Sequence, residues 1–138
     1  MTAIILLGRI KKVNKNALII TDGTEVIKEI ALLMTGAMPD YQVKVCPAQD
    51  FKGTDLLPAD VFFIGCENSK PASFAYLEKM LLHINLASRK CGIFSAKEKT
   101  ISCLRKMLKD CEADLGKPLL TTGAKKTEIT KWIKGILK

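Results

Sequence analysis

Five short apolar runs alternate along the chain with segments in which apolar residues recur every third or fourth position. Ala17 to Thr21 (ALIIT) is continuously apolar and rich in β-branched residues up to Asp22 and Gly23, the pattern of a strand buried on both faces. Val26, Ile27, Ile30, Leu33 and Met34 then follow helical spacing until the breakers Gly36 and Pro39. Gln42 to Cys46 (QVKVC) predicts a second strand ended by Pro47, and Phe51 to Pro58 leaves room for only a short turn of helix. Val61 to Gly65 (VFFIG) is the third strand. After a loop over Cys66 to Ala72, a helix carries the stripe Phe74, Leu77, Leu81 and Ile84. Cys91 to Ser95 (CGIFS) is the fourth strand. The loop Ala96 to Lys99 leads into a helix with Ile101, Leu104, Leu108, Cys111 and Leu115 on one face, closed by Gly116. Pro118 to Thr122 is the fifth strand, Gly123 to Lys126 a loop, and Ile129, Trp132, Ile133, Ile136 and Leu137 the apolar face of a last helix.

Repeated strand-then-helix units with strands apolar on both faces define an α/β fold, because parallel strands need crossover connections and helices then cover both sides of the sheet. At 138 residues the chain fits one domain and is too short for a closed eight-stranded barrel. Residues 1–15 stand outside the alternation as an N-terminal extension to a domain over 16–138. Its run Ala3 to Leu7 is either an added strand, antiparallel beside the second strand, or a loosely ordered extension.

Composition narrows this picture only slightly. Apolar residues make up 48% and charged residues 26%, the balance of a packed globular protein. Ala3 to Leu7 has no basic leader and is shorter than the roughly 18 residues a bilayer requires, so neither a signal peptide nor a membrane helix is expected. The five cysteines are odd in number and lack a C-x-x-C pair, which points to reduced thiols and a cytoplasmic location. The formal net charge of +8 would attract phosphate groups, nucleic acid or an acidic protein, or would serve solubility alone. The lysines are spread out, without zinc-finger spacing or an RNA-binding aromatic signature, so nucleic acid is not expected.

In a doubly wound sheet ligands sit at the carboxyl ends of the strands, where the strand order reverses. The residues gathered there are Asp22 to Glu25, Cys66 to Ser69, Ser95 to Lys99 and Gly123 to Lys126, rimmed by Lys70, Lys97, Lys99, Lys125 and Lys126. Cys66 reads as a buried structural thiol or, beside Lys70, as a reactive one. A phosphorylated receiver is excluded, because Cys66 and Glu67 stand where its acceptor aspartate belongs. His83 is the only histidine and falls opposite the apolar stripe of its helix, so a His-based triad or metal site has no second member. No acid and base pair stands out, which argues against a catalyst.

The order and lengths of these elements resemble the flavodoxin family over residues 16–138. The features that carry the resemblance are the short second crossover through Leu57, Pro58, Ala59 and Asp60 into VFFIGCENS, and a fourth strand closing on Ser95. It implies a three-layer α/β sandwich with a five-stranded parallel sheet in the order 2-1-3-4-5, and an FMN-binding electron carrier. The cofactor-binding positions it implies are Thr21, Gly23 and Thr24 for the phosphate, with Cys66, Glu67, Asn68, Ser95, Ala96 and Lys97 in the loops beside the ring. The family's phosphate loop has the form S/T-x-T-G-x-T; here Thr21-Asp22-Gly23-Thr24 is two residues shorter and carries an acid. The alternative reading of this loop is a turn that caps the first helix through Thr24 or Asp22. The loops CENSKPA and SAKEKT contain no aromatic residue to stack on a flavin. Three functions stay open: an FMN carrier with an acidic redox partner, a flavin-free binding or regulatory module on the same fold, or, ranked last, an enzyme acting on a small phosphorylated substrate, for which no base or nucleophile stands out.

Overall fold

The computed structural model describes residues 15–69, 71–121 and 125–138. The expected N-terminal strand at Ala3 to Leu7, Lys70, Thr122 and Gly123 lie outside the described residues. The strands are β1 (Lys15–Thr21), β2 (Tyr41–Pro47), β3 (Val61–Gly65), β4 (Lys90–Ser95), β5 (Asp114–Leu115) and β6 (Leu119–Leu120). The helices are α1 (Glu25–Gly36), the single turn α2 (Gly53–Leu56), α3 (Ala75–His83), α4 (Glu98–Leu108) and α5 (Lys126–Leu137). All pairings are parallel, in the order β2-β1-β3-β4-β5, with β6 also pairing β4. The sheet order implied by the flavodoxin resemblance is therefore present. Among the described residues no helix is long and apolar enough to cross a membrane.

Alternation of side chains along each strand divides the core in two. Leu18, Ile20, Phe62, Ile64, Cys91 and Ile93 face α3 and α4, meeting Leu77, Leu81, Ile101, Leu104 and Leu108. Ala17, Ile19, Val61, Phe63 and Phe94 face α1 and α5, meeting Ile27, Ile30, Met34, Ile129 and Ile133. Full burial of each of these large side chains contributes roughly 1.5–3 kcal/mol against the entropy of ordering the chain.

Two glycines make the second core possible. In the register of β3 and β4, Phe63 pairs with Gly92 and Gly65 pairs with Phe94. Each ring lies across the glycine of the neighbouring strand: a Cβ on Gly92 would meet Phe63 at 2.8 Å and Trp132 at 2.9 Å, and one on Gly65 would clash with the edge of the Phe94 ring. Trp132 of α5 covers both rings edge-on, at centroid distances of 5.6 Å to Phe63 and 6.0 Å to Phe94. Such tilted aromatic contacts suit the ring quadrupoles.

The structure corrects the sequence reading in the last third of the chain. The helix of α4 does not run on to Leu115. It ends at Leu108, tightens into a 3-10 turn at Lys109–Cys111, and is broken by Glu112 in the left-handed conformation with φ 61°. Asp114 and Leu115 then pair with Lys90 and Cys91 as β5. The fifth strand expected at Pro118 to Thr122 is the two-residue β6, opposite Phe94 and Ser95. Gly116 sits between the two pieces rather than at a helix end, donating its N–H to the Cys91 carbonyl at 3.0 Å and leaving space for the Ile136 side chain.

Candidate functional site

The carboxyl ends of β1, β3 and β4 bring the predicted positions together. Thr21 is buried at the end of β1, and the turn after it places Gly23 at φ 83°, a left-handed conformation glycine adopts without a Cβ penalty. Thr24 then begins α1 as its N-cap, in extended conformation. Cys66 is buried at the end of β3, with Glu67 half-buried and Asn68 exposed beyond it. Ser95 is buried at the end of β4, Ala96 half-buried and Lys97 exposed.

Asp22 organises this end of the sheet. Its Oδ1 accepts hydrogen bonds from the Thr24 N–H at 3.0 Å and the Thr24 hydroxyl at 2.7 Å. Its Oδ2 accepts the Glu67 N–H at 2.7 Å, which ties the loop after β1 to the loop after β3. The Gly23 N–H donates to the Thr21 hydroxyl at 3.3 Å. Thr24 does not cap α1 with its side chain, contrary to the capping expectation, because that hydroxyl is directed back to Asp22. Hydrogen bonds to an ionised acceptor are stronger than neutral ones, so the turn is held firmly.

The loop after β3 is tied equally to the loop after β4. The Thr100 hydroxyl, buried at the start of α4, donates to the Glu67 carbonyl at 3.2 Å and lies 3.4 Å from the Ser69 hydroxyl. The Lys97 ammonium donates to the Asn68 side-chain oxygen at 2.6 Å, and the Lys97 N–H to the Ser95 hydroxyl at 3.2 Å. Three loops that would flank a ligand are thus bound to one another.

Cys66 is a buried thiol. Burial, with a further contribution from the negative charge of Asp22, pushes its pKa up to about 12. At pH 8 its thiolate fraction is then on the order of one in ten thousand. With native protein and a maleimide, mass mapping is expected to show the half-exposed Cys103 labelled first and Cys66 labelled only on unfolding. Prompt labelling of native Cys66 would contradict this assignment.

Sequence reasoning read Asp22 either as a charge disfavouring a phosphate or as part of a turn capping the first helix, and it overlooked Thr100. An acid two residues before a helix N-cap threonine is a local signal for an Asx turn. The bond from Asp22 to Glu67, 45 residues away, has no local signal. Among the described residues no group of three His, Cys, Asp or Glu side chains could hold a metal ion.

The architecture and the switch-point loops together define a flavodoxin-like fold. Solved structures agree. An oxidised flavodoxin 2 from Bacillus cereus superposes with a TM-score of 0.76 at 17% identity, covering 88% of this chain and 97% of that one. A short-chain flavodoxin associated with a non-canonical PDU bacterial microcompartment superposes with a TM-score of 0.72 at 12% identity, covering 89% and 97% respectively. No family model matches the chain, and no match was found among curated protein sequences.

The family's FMN can be tested against these residues. A phosphate at the loop after β1 would have to compete with Asp22, which already engages the Thr24 N–H, the Thr24 hydroxyl and the Glu67 N–H, and would be left with the first-turn amides of α1, which carry no side-chain cap. At 4 Å, the repulsion of two like unit charges is about 1 kcal/mol in water and about 4 kcal/mol near a protein surface. Among the described residues the rings nearest the crevice are engaged elsewhere: Phe74 and Phe94 are buried, and Trp132 packs on Phe63 and Phe94. In this arrangement the three donors that Asp22 engages are closed to an FMN phosphate unless Asp22 releases them.

Proposed function

We propose that this chain is a flavin-free flavodoxin-fold binding or regulatory module, in which the carboxylate of Asp22 stands in place of the cofactor phosphate. The observation that carries this reading is the threefold hydrogen bonding of Asp22, which draws the loops after β1 and β3 together. A site that supplies its own anion is rigid without a ligand and leaves the surface around it for recognition. That surface presents Lys97, Lys99, Lys125 and Lys126, all exposed, beside the exposed Glu25 and Glu98, in a chain of net charge +8. An acidic protein is the partner such a field attracts.

A visible absorption spectrum taken while FMN is added to the purified protein tests this. The module reading expects the spectrum of free FMN throughout, without the band shifts and fluorescence quenching of a bound flavin. The second reading, an FMN electron carrier, is favoured by the likeness to the Bacillus cereus flavodoxin and requires Asp22 to release both loops. Saturable acquisition of a bound-flavin spectrum would establish it and overturn the first.

A further inference from the structure

Away from the switch point, a groove of about 550 Å3 opens between β6 and α5. Its apolar surface comes from Pro118, Leu120 and Trp132, and its rim from Lys117, Lys131 and Glu128. Leu120 is 50% exposed although it belongs to a strand of the sheet. Trp132 is only half-buried: Phe63 and Phe94 support its ring from the core side, and its indole N–H donates to the Lys117 carbonyl at 2.7 Å. The indole is therefore fixed before anything binds, and an aromatic surface held in this way is the type of anchor on which interfaces concentrate their energy.

Gly135 makes the groove what it is. It lies inside α5 and lines the groove, its φ is not in the left-handed region, and a Cβ built on it would meet nothing within 4 Å. Nothing within the described fold calls for glycine there, and glycine weakens a helix relative to alanine. The consequence of the missing side chain is open space beside Trp132. Charge supplies the other half of the description. Lys117 and Lys131 outnumber Glu128 on the rim, and α5 and its start carry Lys125, Lys126, Lys134 and Lys138 besides. Beyond β6 the sheet has no further strand among the described residues, so an extended chain can lie along that edge.

We propose that this groove docks an extended acidic segment of a partner protein, with carboxylates against Lys117 and Lys131 and one large apolar side chain seated over Trp132, Leu120 and Gly135. The site is separate from the switch-point crevice and is independent of whether FMN binds.

Trp132 is the single tryptophan of the chain, so its emission reports on the groove directly. The full-length protein is titrated with a capped peptide, Asp-Glu-Leu-Phe-Glu-Asp, and with a control in which every acid is replaced by lysine. The expected result is a saturable, salt-sensitive change in emission with the acidic peptide alone. Gly135→Leu, which fills the groove, and the double variant Lys117→Glu with Lys131→Glu are each expected to weaken binding about tenfold or more. Gly135→Ala is expected to retain it. Circular dichroism and melting curves establish that each variant is folded, and Gly135→Ala and the lysine pair keep the test decisive if Gly135→Leu does not fold. The proposal is overturned by no saturable change at millimolar peptide, by equal responses to both peptides, or by undiminished binding in the lysine double variant. It is equally overturned if emission changes with protein concentration alone, which would make a second copy the occupant.

Discussion

Gly65→Ala is expected to lower the unfolding free energy by about 2–3 kcal/mol, the usual result of forcing a methyl group into a closed core. A Cβ at Gly65 falls inside the contact distance of the Phe94 ring, which cannot retreat. Phe94 is fully buried, held in register beside Gly65 and covered by Trp132 at 6.0 Å between ring centroids. Displacing it also disturbs the Phe63 contact that Trp132 makes on the other side. For a chain of this length the loss corresponds to a fall of roughly 10 °C in melting temperature. A melting curve superimposable on that of the unsubstituted protein would mean that the ring has room to move, and the glycine and ring pairing would lose its standing as a core device.

The second large effect belongs to Asp22→Ala, and it has two opposed parts. Stability is expected to fall by about 2 kcal/mol, since the Thr24 and Glu67 N–H groups lose a charged acceptor; the partial burial of both lets water recover some of the loss. Affinity for phosphate, by contrast, is expected to rise, because the same change frees three donors and removes a like charge. Binding of inorganic phosphate followed by calorimetry is expected to be at least about tenfold tighter in Asp22→Ala than in the unsubstituted protein. Equal affinities would show that Asp22 does not hold the subsite. Unchanged stability would show that its three hydrogen bonds do not matter to the fold.

Most of the architecture was legible in the sequence because the strands are buried on both faces. Runs such as VFFIG leave no polar position to confuse the period, and α1 stops at Gly36 as its spacing predicts. The end of α4 was not legible, for a specific reason. Cys111 and Leu115 continue the helical spacing of Leu104 and Leu108, and all four pack on the same core, yet the chain reaches Leu115 through a turn and a strand. Spacing records which side a residue faces, not the backbone path that brings it there. The left-handed Glu112 that breaks the pattern is a residue with no particular preference for that conformation.

The candidate site was legible as a location and only partly as chemistry. Thr21, Gly23, Thr24, Cys66, Glu67, Asn68, Ser95, Ala96 and Lys97 do lie together at the strand ends. The shortened T-D-G-T loop also set this turn apart from the flavodoxin phosphate loop in the sequence. What the sequence withheld was the destination of the Asp22 carboxylate, which depends on Glu67 being brought alongside by the parallel pairing of Thr21 with Gly65. Once that contact is known, Asp22 is an internal anion that completes the loop as well as a charge that opposes a phosphate.

The amide resonances of Thr24 and Glu67 report on this claim most directly. In a nitrogen-15 labelled sample titrated with FMN to millimolar concentration, both are expected to remain where they are, because their N–H groups are already bonded to Asp22. A saturable shift of both, together with the spectrum of a bound flavin, would contradict the account and identify the loop as a working phosphate site.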